Sequence, residues 1–547
     1  MKYEFKLVNS LEKNFFAKPD HMPETNSGSM LKNEIHSFQL ILWAENQEWP
    51  QKSFCRVEVD SPIAQFVKLY EVGYVPSLLP AYSDCTCEDY LSKQPGLFPD
   101  PLYPVKESTI LLYCGQSRSI WVAVEPDGSI AGSYPITLRV FDDDNQPVGE
   151  LTYQLEIIDA VLPELPIYNT GWFHGDCVAL HHGLQMQSEE YFALLEQYLR
   201  IYKKFGHNTV LTPVFTPPLD TKIGGERPTN QLVQVTVEGG KYRFDFSLLK
   251  RWIDLCHKVG IRNFEISHLY SQWGAKYAPK VMATVDGEYK RIFGWETDAL
   301  GEDYAAFLRA FLPELTAFLK EQGILERCLF HVSDEPTPEQ VEQYRAAKEL
   351  LLQYISENQL IDALHAYELH ESGAVKHPVV SIDHIHTFME HNVQGLWAYY
   401  CCGQGTKVAN RFMAMPSYRS RVIGSQLYKH DIKGFLQWGF NFWLAQHSVR
   451  AIDPYTNTSA DGGFPSGDSY LVYPKSADGD IICSLRLYVF CEAMQDLRAL
   501  KLLETLSSRE EVVALLGELD GFENYPRNST YLLTLRETVN RHIKELC

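Results

Sequence analysis

No stretch of the 547-residue sequence approaches the roughly 18 consecutive apolar residues that a membrane-crossing helix needs. The N-terminal MKYEFKLVNSLEKNFF interleaves charges with apolar residues instead of building the uninterrupted apolar core of a signal peptide. The expectation from both absences is a soluble, cytoplasmic protein with no membrane partner. Positive charge is in deficit, with 49 Lys and Arg against 70 Asp and Glu and a formal net charge of -21. Such a mean field repels polyanions, which argues against a nucleic-acid partner. The twelve cysteines lack the spacing of a disulfide framework, and only Cys85 with Cys87 and Cys401 with Cys402 lie close together. Reduced thiols are the simplest expectation. Zinc-type donors gather at Asp383, His384, His386 and His391, and at His365, Glu368 and His370, but neither group has a recognised ligand spacing. No metal and no cofactor is expected. Internal repeats and low-complexity tracts are lacking too.

What the chain does have is aromatic residues, 13% of the total, set in an otherwise ordinary globular composition. Core packing is the usual role of any one of them, yet together they suit surfaces that stack on sugars. From residue 1 to 165 the pattern alternates like β-strands, in SFQLILW (Ser37 to Trp43), SIWVAV (Ser119 to Val124) and YPITLRVF (Tyr134 to Phe141). Turn chemistry separates such runs, as in DDDNQP from Asp142. This predicts an N-terminal antiparallel β-sandwich. VLPELP, Val161 to Pro166, reads as a stiff linker.

After the linker short apolar runs alternate with amphipathic segments, the grammar of βα units around a parallel sheet. Strands are predicted at about 167–174, 207–213, 262–269, 327–333, 362–368, 377–383, 395–401 and 434–442. Eight strands predict an α/β fold, a (β/α)8 TIM-type barrel over 166–505. Helices are predicted from Ser188, Phe246, Asp303 and Thr337, the last with a capping-box pair in Thr337 and Gln340. LVQVTVEGGKYRFDF, from Leu232, predicts a hairpin turning at Gly239 and Gly240. The fifth to seventh units are short of helix, so an irregular barrel is expected there. Residues 506–547 read as a C-terminal helical appendage.

In such a barrel the chemistry sits at the carboxyl ends of the strands. The residues found there are His174 and Asp176 in GWFHGD, Asn208, His268 in EISH, and Asp334 with Glu335 in RCLFHVSDEP. Further along come Trp397, Tyr399 and Tyr400 in LWAYYC, then Trp438, Asn441 and Trp443 in GFLQWGFNFW. Two adjacent carboxylates, several aromatic faces and a few amide or imidazole groups make the inventory of a carbohydrate pocket. Neighbours in a regular strand face opposite ways, so Asp334 and Glu335 share a pocket only if the strand ends beside them, which Pro336 favours. Mutual repulsion and burial would then raise the pKa of one carboxyl, leaving an acid and a base at neutral pH. The competing explanation is plain helix capping by acidic residues.

HVSDEP (His331 to Pro336), LWAYYCC from Leu396, NRF from Asn410, GFLQWGFNFW from Gly434 and SLRLYVFCEAMQDL from Ser484 follow one another in an order that resembles glycoside hydrolase family 123 and its relatives in the domain of unknown function 4091 family. The likeness covers nearly the whole chain. It implies a retaining, exo-acting β-N-acetylgalactosaminidase whose nucleophile is the substrate's own acetamido group. It also implies that Asp334 holds the acetamido N–H while Glu335 protonates the leaving oxygen and then deprotonates water. Tyr399 is the candidate donor to the acetamido carbonyl. Trp397, Trp438 and Trp443 are candidate walls for the acetyl methyl and the sugar face. His174, Asp176, Asn208 and His268 are candidates for sugar hydroxyls, Asn441 is a further substrate-binding candidate, and Asp468 and Tyr470 are candidates for the rim. Arg486 is expected to pair with Glu492 and Asp496 on the last barrel helix. The partner implied is a carbohydrate ending in N-acetylhexosamine, reached in the cytoplasm as an imported oligosaccharide. Two alternatives stay open. One is a glycosidase of another specificity with a carboxylate nucleophile such as Asp176, about 5 Å from Glu335. The other is a catalytically silent carbohydrate-binding protein.

Overall fold

The computed structural model describes residues 1–46, 51–105 and 109–547. Lys2–Asn9, His36–Glu45, Arg118–Val124, Val67–Ser77 and Gly96–Pro104 pair in that spatial order as an antiparallel sheet. The hairpin Val472–Lys475 and Ile481–Ser484 extends it at the Gly96–Pro104 edge, so one sheet draws strands from both ends of the chain. A second sheet orders Ser27–Leu31, Pro147–Ile158, Gly132–Phe141, Lys52–Asp60 and Thr109–Tyr113. The pleat sends alternate residues of His36–Glu45 to opposite faces. Phe38, Leu40, Leu42 and Ala44 share one buried cluster with Val57, Ile136, Leu138 and Val140 of the second sheet.

The central element is a sheet of eight parallel strands, numbered here β1 (Tyr168–Gly171), β2 (Thr209–Thr212), β3 (Asn263–Ile266), β4 (Cys328–Phe330), β5 (Asp362–Leu364), β6 (Pro378–Ser381), β7 (Trp397–Tyr399) and β8 (Gly434–Gln437). Each lies inside one of the predicted spans. Period-two alternation again sorts the side chains. Leu211, Leu329, Ala363, Val379, Trp397, Tyr399 and Leu436 gather in one inner cluster, while Val210, Phe330, Leu364, Val380, Ala398 and Phe435 join the larger core containing the helices.

The closed (β/α)8 barrel expected from the sequence is corrected by the strand order, which is β4-β3-β2-β1-β8-β7-β6-β5 in an open sheet. Among the described residues no ladder joins β4 to β5, and one isolated bridge, between Phe330 and Leu360, spans those two edges. The fifth and sixth units are short of helix, as expected from the sequence. The helices after β5 and β6, Tyr367–Glu371 and Ile385–Glu390, have five and six residues, too short to cover a strand as Glu302–Glu321 does. Hairpins precede the helices after β2 and β3, the first being the predicted Gln234–Glu238 and Lys241–Asp245 pair. The pattern of apolar runs finds parallel strands, but it contains nothing that pairs the first and last edges.

The helix Leu485–Leu506 is buried along most of its length. It meets Ile423–Lys429 so closely that a Cβ at Gly424 would lie 1.8 Å from the Ala493 carbonyl oxygen. Arg486 does not pair with Glu492 and Asp496. Its guanidinium takes Asp100 of the N-terminal sheet at 2.7 and 2.9 Å and also donates to the carbonyls of Gly467 and Tyr470. Glu492 and Asp496, a turn or more farther along the helix, pair with Arg421 at 2.9 and 2.8 Å, and Arg536 joins Asp496 at 3.1 Å.

Candidate functional site

The chain leaves β4 at Phe330 and reaches Asp334 four residues later, outside the pleat that would have separated the two carboxylates. The loop after β3 and the strand β5 fix this turn. Ser333 Oγ accepts from the N–H groups of Gly274 and Ala275 at 3.1 Å each, and Trp273 N–H donates to the Asp334 carbonyl at 2.8 Å. Glu335 N–H donates to the Ala363 carbonyl at 3.1 Å, while its φ of 44° puts it in the left-handed region directly before Pro336. A non-glycine residue held there costs about 1–3 kcal/mol, and such strain gathers at functional sites. The result is that both side chains enter one cavity of about 250 Å³, whose walls include Trp172, Trp273, Tyr399, Trp438 and Phe464.

Burial pushes the Asp334 carboxyl well above its ordinary value, and the adjacent charge of Glu335 pushes it further. The raised carboxyl of the pair is therefore Asp334, and the site holds one negative charge more readily than two. Tyr399 donates its hydroxyl to Glu335 Oε1 at 2.6 Å. Burial, then the charge of Glu335, raises the phenol well above its usual range and keeps it a neutral donor. In this structure that hydroxyl is committed to Glu335 and not free for an acetamido carbonyl.

Beneath the carboxylates His331 bridges two more acids, with Nε2 2.7 Å from Glu265 Oε1 and Nδ1 3.3 Å from Asp362 Oδ1. Burial alone would lower its pKa, but the bonds to Asp362 and Glu265 win and raise it to about 10. A ring held in its protonated form donates from both nitrogens, one to each carboxyl group. Thr170 and Trp172 each add a bond of 2.6 Å to Glu265, and Tyr344 and the Val332 N–H hold Asp362. Burial raises the Asp362 carboxyl against these contacts.

His268 stacks on His331 with ring centroids 4.2 Å apart, and among the described residues neither of its ring nitrogens has a hydrogen-bond partner. Among the described residues, His268, His331 and Asp362 form a group whose candidate ligand atoms lie within 4.8 Å of one another. Both nitrogens of His331 are already spent on carboxylates, so the contacts describe an ion-pair network. The histidines considered from the sequence point elsewhere. His384 contacts Asp383 at 3.0 Å, His386 contacts Glu390 at 3.1 Å, and His370 and His391 bond to backbone carbonyls.

Of the other residues on the strand-end shortlist, Trp438 lines the cavity, its indole N–H held 2.9 Å from Asp468 Oδ2. Burial raises that Asp468 carboxyl to about 6. His174 and Asp176 are drawn away into a buried contact with Arg227, at 2.8 and 2.7 Å. Asn441 exchanges two bonds with the His174 backbone. Asn208 precedes β2 and bonds the backbone of Asn169 and Ile167, so it lies at the amino end of its strand, away from the carboxyl ends. Trp397 also opens its strand and stacks on Tyr168. Trp443 and Tyr470 are buried and bond the carbonyls of Val472 and Pro454.

The cavity also contains residues the strand-end argument did not reach, namely Asp220, Gln272, Trp273, Gln446 and His447. They sit in the loops after β2, β3 and β8, where no periodic pattern marks a side chain. Glu265 and His331 were within reach, since EISH and HVSDEP carry them, but a buried salt bridge leaves no spacing signature.

The catalytic-domain model of glycoside hydrolase 123 matches residues 172–503. Among solved structures, a family 123 glycoside hydrolase from Clostridium perfringens, described for glycolipid glycan hydrolysis, aligns over 100% of this chain and 98% of its own, with a TM-score of 0.74 and 15% identity. A β-glucuronidase of Bifidobacterium dentium aligns over 90% of this chain and 66% of its own, with a TM-score of 0.34 and 8% identity. A putative β-galactosidase of Bacteroides fragilis reaches a TM-score of 0.31 and 10% identity over 81% of this chain and 56% of its own. No curated protein matches. Since the catalytic-domain match spans more than half of the chain, the protein belongs to glycoside hydrolase family 123 and is a glycoside hydrolase.

Proposed function

We propose that the protein is a retaining, exo-acting β-N-acetylgalactosaminidase in which the substrate's acetamido group is the nucleophile. The observation that supports it best is the meeting of Asp334, Glu335 and Tyr399 in one aromatic-walled cavity. The pair's shared proton, which burial favours on Asp334, moves to Glu335 when substrate binds; Glu335 then gives it to the leaving oxygen as the C1–O bond breaks, and the acetamido carbonyl oxygen bonds to C1. Asp334 accepts the acetamido N–H and stabilises the oxazolinium intermediate. Water then attacks C1, Glu335 takes its proton, and the bond from C1 to the acetamido oxygen breaks. Two inversions at C1 return the starting configuration. A tethered nucleophile needs no carboxylate below C1, and correct placement supplies much of the rate. The substrate class we propose is a glycan with terminal β-linked N-acetylhexosamine, trimmed in the cytoplasm, a compartment in which twelve free thiols are ordinary.

A carboxylate-nucleophile glycosidase remains the second reading, with a changed candidate. Asp176 is committed to Arg227, whereas Asp220 lines the same cavity as Glu335. The test is hydrolysis of aryl β-N-acetylgalactosaminide, β-N-acetylglucosaminide and β-galactoside by wild type, Asp334→Asn and Glu335→Gln. Turnover of the first substrate, with large losses in both variants, is the expected result. Equal turnover of all three sugars would sink the acetamido mechanism.

A further inference from the structure

We infer that Asp220, Gln272 and His447 form the part of the cavity that reads the substrate's ring hydroxyls, taking the vicinal pair at C3 and C4 of the terminal sugar. The inference rests on the glycosidase reading of the cavity proposed above. All three residues line it together with Asp334, Glu335 and Tyr399.

Their hydrogen-bonding capacity is left partly unspent. Gln272 accepts from the Asp220 N–H through Oε1 at 2.8 Å, which fixes its amide and leaves Nε2 buried without a partner. The side chain of Gln272 is part of a residue only 5% exposed, so solvent does not serve that donor freely. Asp220 Oδ2 accepts from the His447 N–H at 3.0 Å. Its other oxygen, Oδ1, stands 3.7 Å from His447 Nδ1, too far for a hydrogen bond, and that nitrogen is also buried and unpartnered. An amide donor and an imidazole nitrogen therefore lack hydrogen-bond partners among the described residues, beside a carboxylate whose Oδ1 only approaches that imidazole at 3.7 Å. Buried polar groups are ordinarily satisfied, and those that are not call for an explanation. A hydroxyl both donates and accepts, so two adjacent hydroxyls satisfy the set.

The three side chains come from three different loops that are bound into one unit. Ser448 Oγ donates to the Asp220 carbonyl at 2.7 Å, and Lys222 N–H donates to the His447 carbonyl at 3.0 Å. Asp220, Trp273, His447 and Ser448 all hold left-handed backbone, with φ of 39°, 59°, 62° and 56°. Burial of the Asp220 carboxyl is consistent with a pocket wall, since it lifts that group to about 6. The choice of hydroxyls follows from the substrate. C1 and the C2 acetamido group are assigned to Glu335 and Asp334, and C3–C4 is the vicinal pair that remains on the ring.

The experiment compares kcat/KM for an aryl β-N-acetylgalactosaminide and its 4-deoxy analogue in wild type, Asp220→Asn, Asp220→Ala and Gln272→Leu. A site built to bond a hydroxyl discriminates strongly against its loss. Wild type should prefer the parent sugar by on the order of 100-fold, and Asp220→Ala should bring the ratio near one. The ratio is independent of the folded fraction, so a poorly folding variant still reports. Wild-type discrimination that survives in Asp220→Ala overturns the inference. So does equal loss on both substrates with glycosyl azide formed when azide is added, which would make Asp220 the nucleophile. The same ratio, read as binding of the two free sugars to Glu335→Gln, requires no turnover. A failure of the acetamido mechanism shows up separately, as hydrolysis of the plain galactoside, whose 4-deoxy pair then tests Asp220 in the same way.

Discussion

Two cavities of this molecule treat their polar groups in opposite ways. The larger, of about 660 Å³, lies between the N-terminal sheets and the C-terminal helices, and most of its charged groups are paired within the protein. Arg421 takes Glu492, Arg536 takes Glu34, Glu537 accepts from the N–H and hydroxyl of Ser29, and Lys544 takes Glu156 at 2.6 Å. The smaller, of about 250 Å³, holds the raised carboxyl of Asp334, the unspent amide of Gln272 and the unspent nitrogen of His447. Size does not locate the chemistry. A matched cavity holds the halves of the chain together, whereas an unmatched one has interactions left for a ligand, which is what a pocket with a few convergent polar groups provides.

The largest effect that would break this contrast is at Glu335. General acid–base catalysis contributes about 10²–10⁴-fold, so Glu335→Gln should lose that much kcat on a substrate with a poor leaving group while its melting temperature stays near that of wild type. The mirror experiment is Arg421→Ala in the matched cavity. Removing one partner of a buried pair costs about 3–5 kcal/mol, because Glu492 and Asp496 are left without it. Denaturant titration should show that loss, with kcat/KM per folded molecule unchanged. A catalytic defect in Arg421→Ala, or a stability defect of that size in Glu335→Gln, would erase the distinction between the two regions.

The network under the small cavity lies between these cases, since its charges are matched yet sit against the site. His331 is raised from 6.5 to about 10, so it binds protons in the folded state that the unfolded chain releases. Its contribution to stability is complete below pH 6.5 and is lost as pH rises through about 10. Asp362, also raised, acts in the same direction at lower pH. Unfolding free energy measured at pH 6 and pH 9 should fall between them, and His331→Gln should flatten that slope. An equal slope in both proteins would remove the imidazolium from the account.

The sequence carried the strands well and the connections between them poorly. β-strands announce themselves through apolar runs, and each of the eight predicted spans contains one. Whether the Cys328–Phe330 and Asp362–Leu364 edges pair is decided by tertiary packing, and no residue pattern encodes it. The same division holds at the site. Asp334 and Glu335 stood out because a proline follows two acids just past an apolar strand, and Tyr399 because it closes a strand. Asp220 and His447 did not, because a loop residue with left-handed backbone has no periodicity. His174, Asp176 and Asn441 were legible as polar groups near strand ends, but not as partners of Arg227 or of the backbone, since Arg227 lies in a loop about 50 residues away.

The smallest effect asks how the unmatched cavity divides its labour. The Tyr399 hydroxyl lies 2.6 Å from Glu335 Oε1, and a hydrogen bond to a charged group is worth about 1.5–3 kcal/mol. Tyr399→Phe should therefore lose roughly 10- to 100-fold in kcat/KM, converted at 1.4 kcal/mol per factor of ten. The pattern across leaving groups carries the information. If Tyr399 acts by holding the proton donor, the loss grows as the leaving group becomes poorer, because such substrates depend most on Glu335. If it turns to the acetamido carbonyl when substrate binds, the nucleophile is misplaced equally for every aglycone, and good and poor leaving groups lose alike. The 2.6 Å distance favours the first outcome.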